Sequence, residues 1–178
     1  PRPYMTYQSF LPEVAAGSIQ PRHVVASHRR NLDGVTILTG SVTGIDHASR
    51  TITIAPPMPE STKEAPGSYD LSYDHIVLAL GAEVRTLPIP GLAEQAMGFK
   101  QVEEALALRN RVLSRIDDAA CTWDAERRRR LLTFVFVGGG FAGVEAIAEL
   151  EDMVRSAVAK IPSVEQKDVR FVLVEGSR

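Results

Sequence analysis

Hydrophobic and polar residues alternate along the first part of the chain, as they do in strands that cover one face of a sheet. Residues 34–45 alternate in this way, and a turn at 46–49 leads into a second strand at 51–54. The run at 71–81 ends in consecutive apolar residues, which is typical of a strand covered on both faces. These strands predict a β-meander, and residues 21–30 are predicted to form a short helix before it.

The period of the apolar residues becomes helical in the second part of the chain. One face of residues 101–119 is apolar, as in a helix that packs against a core. An apolar strand follows at 131–137, and a helix then extends to about residue 160 before a last strand at 169–175. The order strand, helix, strand predicts a βαβ unit, in which a right-handed crossover joins two parallel strands.

The composition is that of an ordinary globular protein, with 44% hydrophobic and 24% charged residues. The net charge of −2 gives no reason to expect nucleic acid, or an anionic membrane surface, as the main partner. Cys121 is the single cysteine, so an intrachain disulfide is excluded, and this is compatible with a reducing cytoplasm. The four histidines lack the spacing of a metal site, and no apolar stretch approaches the roughly 20 residues that span a bilayer.

A glycine-rich turn joins the strand at 131–137 to the helix that follows it. Its residues, Gly138-Gly139-Gly140-Phe141-Ala142-Gly143, fit the pattern G-x-G-x-x-G. Gly138 permits a tight turn, Gly140 lets the backbone approach a pyrophosphate, and Gly143 lets the helix pack closely. The helix N-terminus offers N–H groups and a partial positive charge to phosphates. The pattern in this context predicts a dinucleotide site.

Glu175 ends the last strand, where a carboxylate can accept hydrogen bonds from a ribose diol. A carboxylate there repels a 2′-phosphate, so Glu175 favours NAD over NADP. The helix and loop between Gly143 and Glu175 are longer than the roughly 20 residues of the usual pattern. Two alternatives stay open: a glycine turn without ligand beside an exposed glutamate, and an Arg178 that tolerates a phosphate.

A second motif lies in the first part of the chain. The segment YDHIVLALG at 73–81, followed by LPIPG at 87–91, resembles a segment of the FAD-dependent pyridine-nucleotide oxidoreductases. The segment FLPEVAAGSIQPR at 10–22 is similar to the flavin-side segment of type II NADH dehydrogenases. The resemblance covers essentially the whole chain. It implies an incomplete α/β, Rossmann-like flavoprotein fold with two dinucleotide sites and an antiparallel β-meander in its FAD part.

The resemblance also implies a division of the chain and a set of site residues. Residues 1–98 would be a partial FAD-binding domain, and 99–178 the first half of an NAD-binding domain with its preceding helix. On the FAD side, Val42 would touch the adenine end, Leu11 and Pro12 would lie near the flavin ring, and three residues would pass the ribose and pyrophosphate, namely Ala79, Leu80 and Gly81. The NAD-side residues would be Gly138, Gly139, Gly140, Phe141, Ala142, Gly143, Glu145 and Glu175.

Glu145 has two interpretations in this scheme. It matches a glutamate that lies near the nicotinamide in such enzymes, or it complements the helix dipole from the first turn. A hydride step between stacked rings needs no acid or base, so no catalytic residue is assigned with certainty.

The resemblance implies that the chain belongs to an enzyme passing a hydride from NADH to FAD and electrons on to a quinone. The family's own N-terminal glycine fingerprint does not precede Pro1, so the chain is interpreted as an internal fragment. A same-fold reductase of a ferredoxin, rubredoxin or nitro compound is the nearest alternative, and a non-catalytic NADH-binding module is the other. The lone Cys121 disfavours disulfide reductases. The expected location is the cytoplasm, with attachment to the inner face of the cell membrane and homodimer formation left open.

Overall fold

The computed structural model describes residues 3–58, 66–81 and 88–176, which fall into two compact units. The described residues 3–5 and 27–81 belong to the first unit, and 6–26 and 88–176 belong to the second. Two short strands, β1 (Tyr4–Thr6) and β2 (Val25–Ser27), pair with each other, and the chain passes from one unit to the other within them. Leu87 and Arg178 of the sequence predictions lie outside the described residues.

The first unit is built on a three-stranded antiparallel meander, as predicted. After a one-turn helix, α2 (His28–Asn31), come β3 (Ser41–Asp46), β4 (Thr51–Ala55) and β5 (Tyr69–Ser72), in that order across the sheet. Asp46 fixes the first turn, because its carboxylate accepts the N–H groups of Ala48 and Ser49 at 2.9 and 3.2 Å.

Three of the sequence predictions for this region are wrong in extent. The helix predicted at 21–30 is replaced by a 3₁₀ turn (Pro21–His23), β2 and α2. The strand predicted at 34–45 begins only at Ser41. The strand predicted to end at residue 81 stops at Ser72, and Val77 and Leu80 beyond it are 86% and 89% exposed. Alternation shows which residues suit a strand, but a strand also needs a neighbour for its backbone groups, and no described strand pairs with residues 76–81.

The second unit contains the predicted βαβ arrangement. After a short α3 (Leu92–Gln95), the long helix α4 (Val102–Ala120) starts with a capping box in which Glu104 accepts the backbone N–H of Gln101 at 3.0 Å. Helix α5 (Ala125–Leu131), strand β6 (Thr133–Val137), helix α6 (Phe141–Val158), a 3₁₀ turn (Gln166–Asp168) and strand β7 (Arg170–Val174) follow. The strands β6 and β7 are parallel and in register from Thr133↔Arg170 to Val137↔Val174.

Buried apolar side chains join the helices of the second unit to its sheet. One cluster combines Val112 and Ile116 of α4 with Leu132 and with Val154 of α6, and Phe134 and Phe171 of the two strands pack against it. The packing explains why the apolar stripe on α4 is needed: its side chains are buried against α6 and the strands rather than exposed.

A helix from the start of the chain also packs into this unit. It is α1 (Leu11–Ala16), whose Leu11, Val14 and Ala15 form a second buried cluster with Val102 of α4 and Leu150 of α6. Packing therefore divides the chain differently from the predicted boundary at residue 98, because α1 buries its apolar face against helices that come more than eighty residues later. The predicted assignment of 1–98 and 99–178 to two nucleotides stays a prediction.

Helix α5 offers a test of local electrostatics. The Asp124 carboxylate accepts the N–H groups of Arg127 and Glu126 at 3.1 and 2.9 Å, and the bond from Arg127, followed by that from Glu126 and by nearby arginines, lowers the pKa of Asp124. A lowered pKa in the folded state means that the carboxylate stabilises the fold above its ordinary value of 3.8, and that this contribution is lost as the pH falls through the lowered value.

We expect Asp124→Ala to lower the melting temperature at pH 7, and the difference from the unchanged protein to shrink on acidification below pH ~4. The matched variant Asp124→Asn keeps an acceptor for the helix and should retain more of the stability at pH 7. Thermal unfolding followed by circular dichroism at several pH values measures both effects. Equal melting temperatures of the three proteins at pH 7 would contradict this role of the cap.

Within the described ranges, no helix is both long and apolar enough to cross a membrane. The same residues contain no group of three or more histidine, cysteine or acidic side chains that could hold a metal ion.

Candidate functional site

The glycine turn lies between the end of β6 and the start of α6. Gly138 has φ +109°, a value in the left-handed region that favours glycine. Its N–H donates to the carbonyl of Val174 at 2.9 Å, which ties the turn to the end of β7. The chain thus leaves the strand sharply and enters the helix within three residues.

The Cα of Gly143 lies close to the backbone of the glycine turn, and the group it approaches is not a side chain of the sheet. A Cβ placed on Gly143 would lie 2.2 Å from the carbonyl oxygen of Gly138, far inside van der Waals contact. The Gly143 N–H donates to the carbonyl of Gly140 at 3.0 Å, so the first turn of α6 folds back on the glycine turn. The close approach that the sequence pattern implies is therefore present, with Gly138 as the group approached.

The start of α6 presents backbone groups without a side chain over them. No side chain caps the helix, and none of the residues in its first turn is acidic. Among the described residues, a Cβ on Gly140 would meet no atom within 4 Å. Phe141 at the helix start is 92% exposed, and Ala142 is exposed as well. The arrangement leaves room for an anionic group beside Gly140 and the first N–H groups of the helix.

Glu175 follows β7 and reaches across to the glycine turn. One carboxylate oxygen accepts the N–H of Gly139, and the other accepts the N–H of Gly176 at 2.7 Å. The parallel register explains the meeting, because Val137 and Val174 are paired and both strands end at the same edge. Two parts of the predicted site that lie far apart in sequence are thus joined by a hydrogen bond.

The contact between Glu175 and Gly139 was not part of the sequence prediction. The pattern G-x-G-x-x-G leaves its second position open, and Gly139 occupies that position. A third consecutive glycine where the pattern requires only two was the available signal that a further group approaches the turn.

Glu145 is the fifth residue of α6 and is exposed. Because the first turn of the helix holds no acidic residue, the interpretation of Glu145 as a first-turn complement to the helix dipole is wrong. Its position near a nicotinamide stays a prediction.

The residues predicted for the FAD side fall into both units. Leu11 and Pro12 are buried at the start of α1 in the second unit, and Leu11 is only 1% exposed. Val42 lies on β3 of the first unit with 53% of its surface exposed, paired with Ile54. The segment Ala79-Leu80-Gly81 of the same unit is exposed and irregular, and Gly81 has φ +73°.

A parallel βαβ unit with this glycine turn, and with an acid at the end of the second strand, defines the class of Rossmann dinucleotide-binding folds. The particular family follows from comparison with known proteins. Residues 2–171 match the pyridine nucleotide-disulphide oxidoreductase family, and the chain belongs to that family. The predicted superfamily is therefore confirmed.

Two relatives refine the comparison. The chain is 33% identical to the mitochondrial external alternative NAD(P)H-ubiquinone oxidoreductase B1 of Arabidopsis thaliana, over 98% of this chain and 31% of the relative. It is also 33% identical to the mitochondrial external alternative NADH-ubiquinone oxidoreductase of Yarrowia lipolytica, with the same coverage. The chain thus spans about a third of the length of these relatives.

A solved structure supports the fold. The NDH2 of Plasmodium falciparum in complex with NADH matches all of this chain and 36% of its own, with a TM-score of 0.79 and 24% identity. The same protein in complex with RYL-552 gives a TM-score of 0.81 over 99% of this chain. The predicted α/β, Rossmann-like flavoprotein fold with its antiparallel meander is confirmed.

Proposed function

We propose that this chain is part of an enzyme that passes a hydride from NADH to FAD and electrons on to a quinone. The observation that carries the proposal is the meeting of Glu175 with the glycine turn at the common end of β6 and β7. The likeness to NADH-ubiquinone oxidoreductases along 98% of the chain supports the same reaction class. Because those relatives are about three times as long, the activity belongs to the longer protein.

The residues present fit a dinucleotide. A pyrophosphate would lie beside Gly140, where no side chain would intervene, and the N-terminus of α6 would balance part of its charge. Gly138, Phe141, Ala142 and Gly143 would shape that cradle, and Glu175 would accept hydrogen bonds from the adenosine ribose. Glu145 would lie further along, toward the nicotinamide.

The FAD side of the proposal rests on fewer contacts. The exposed backbone at 79–81 would pass the ribose and pyrophosphate of FAD, since Gly81 has a backbone conformation that other residues rarely adopt. Val42 of the same unit would contact the adenine end of FAD. The position of Leu11 and Pro12 of the second unit near the flavin ring stays a prediction from the sequence resemblance. When bound, the nicotinamide and the flavin supply the redox chemistry. The protein's part is to hold both nucleotides and to keep water away from them.

A quinone acceptor is apolar, so we propose that a protein of the relatives' length acts at a membrane surface. Attachment to the inner face of the cell membrane and formation of a homodimer are further proposals, which rest on the sequence resemblance alone. The cytoplasmic location of the catalytic domains belongs to the same proposal.

An anaerobic visible spectrum of the purified protein, prepared at the length of its relatives, tests the proposal. We expect a flavin absorption band that bleaches when NADH is added and returns when a soluble ubiquinone analogue is added. If the flavin band returns with ferredoxin but not with the quinone analogue, the alternative, a ferredoxin reductase of the same fold, is favoured. A colourless protein that binds NADH would indicate a non-catalytic binding module. A yellow protein that is bleached by neither NADH nor NADPH would overturn the proposal of a dehydrogenase.

A further inference from the structure

We propose that Gly139 determines nucleotide specificity: by leaving room for the Glu175 carboxylate and by donating its N–H to it, Gly139 makes the site select NADH over NADPH. The inference rests on the proposed function, because it concerns the same nucleotide site. It adds a residue to which the sequence pattern assigns no specificity.

A side chain at position 139 would crowd the side chain of Glu175. A Cβ on Gly139 would lie 3.0 Å from Oε2 of Glu175, 3.4 Å from its Cγ and 3.5 Å from its Cβ. The backbone at Gly139 does not have the positive φ that Gly138 has, so an alanine there would be conformationally acceptable. Glycine at this position therefore provides room for the glutamate side chain rather than backbone freedom.

The hydrogen bonds fix where the negative charge lies. A glutamate side chain is flexible, and at the end of a strand it can swing aside. Here the N–H of Gly139 donates to one oxygen of Glu175 and the N–H of Gly176 donates to the other. The two bonds keep the carboxylate beside the glycine turn. Bonds from N–H groups to a charged acceptor are about twice as strong as bonds between neutral groups.

A carboxylate held at this position discriminates between the two nucleotides. It accepts hydrogen bonds from a ribose diol and repels the phosphate that NADPH carries in place of the 2′-hydroxyl. If the carboxylate could swing away, the repulsion would be relieved and NADPH would be admitted. Family membership does not decide between NADH and NADPH, because the names of the relatives include both NADH and NAD(P)H.

Binding of NADH and of NADPH to the protein prepared at the length of its relatives, measured by isothermal titration calorimetry, tests the inference. We expect the unchanged protein to bind NADH more tightly than NADPH. Gly139→Ala keeps the N–H group, but its methyl group would displace the Glu175 carboxylate from that group. The ratio of the two affinities should therefore fall by up to about tenfold, the contribution of one hydrogen bond to a charged group. The matched variant Gly140→Ala changes the neighbouring glycine, whose surroundings are open. It should weaken the binding of NADH and of NADPH to a similar degree and leave the ratio of the two affinities unchanged.

A second variant separates the charge from the fold. Glu175→Gln keeps the size of the side chain, and we expect it to reduce the ratio as Gly139→Ala does. In the amide NMR spectrum it should also move the Gly139 proton upfield, because the bond to a carboxylate is lost; this readout needs no nucleotide.

The outcomes distinguish the inference from the proposed function. An unchanged affinity ratio in Gly139→Ala, with NADH still bound, overturns the inference and leaves the proposed function standing. The inference is also overturned if the unchanged protein prefers NADPH, or if the chemical shift of the Gly139 amide proton does not change in Glu175→Gln. Failure of the protein prepared at the length of its relatives to bind either nucleotide overturns both.

Discussion

Replacing Gly143 with alanine should weaken NADH binding about 100-fold and lower the free energy of unfolding by about 1–3 kcal/mol. The new methyl group would lie 2.2 Å from the Gly138 carbonyl oxygen, so the turn would have to move by about 1 Å to accept it. A displacement of that size in a positioning element costs about two orders of magnitude in catalytic rate, and we expect a loss of similar size in NADH affinity because the same turn would hold the pyrophosphate. NADH titration and urea unfolding measure the two effects.

Gly67→Ala is the matched control for this substitution. In the part of the chain that the structure describes, no atom lies within 4 Å of a Cβ added to Gly67, and Gly67 has no positive φ, so neither stability nor NADH binding should change. If Gly143→Ala binds NADH within threefold of the unchanged chain, the close approach of the helix to the turn has no part in the site.

The second large effect concerns the junction of α1, α4 and α6. We expect Leu150→Ala to lower the free energy of unfolding by about 2–5 kcal/mol, because Leu150 is fully buried against Leu11, Val14 and Val102 and its truncation leaves a cavity. The midpoint of urea unfolding should fall without a change in the slope.

Val144→Ala in the same helix is the control for this prediction. Val144 is 50% exposed, so its truncation should change stability by no more than about 0.5 kcal/mol. Equal losses in the two variants would mean that α1 does not pack against α6 as the structure has it.

The sequence alone determined the elements that depend on neighbours in the chain. The apolar period of residues 101–119, the glycine pattern after β6 and the order strand, helix, strand predicted the βαβ unit that the structure contains. The β-meander was predicted in the same way, from alternation and a turn sequence. These signals are local: a turn needs its own glycine, and an amphipathic helix carries its own stripe.

The tertiary structure alone decided which distant residues meet. The register of β6 and β7 brings Glu175 to Gly139. The third consecutive glycine signals that a group approaches the turn, but only the strand pairing decides that this group is Glu175. Packing, not sequence order, places α1 against α4 and α6 in the second unit. Residues 76–81 have the composition of a buried strand, yet Val77 and Leu80 are exposed. A strand forms only where a neighbouring strand pairs with its backbone groups, and no described strand pairs with these residues.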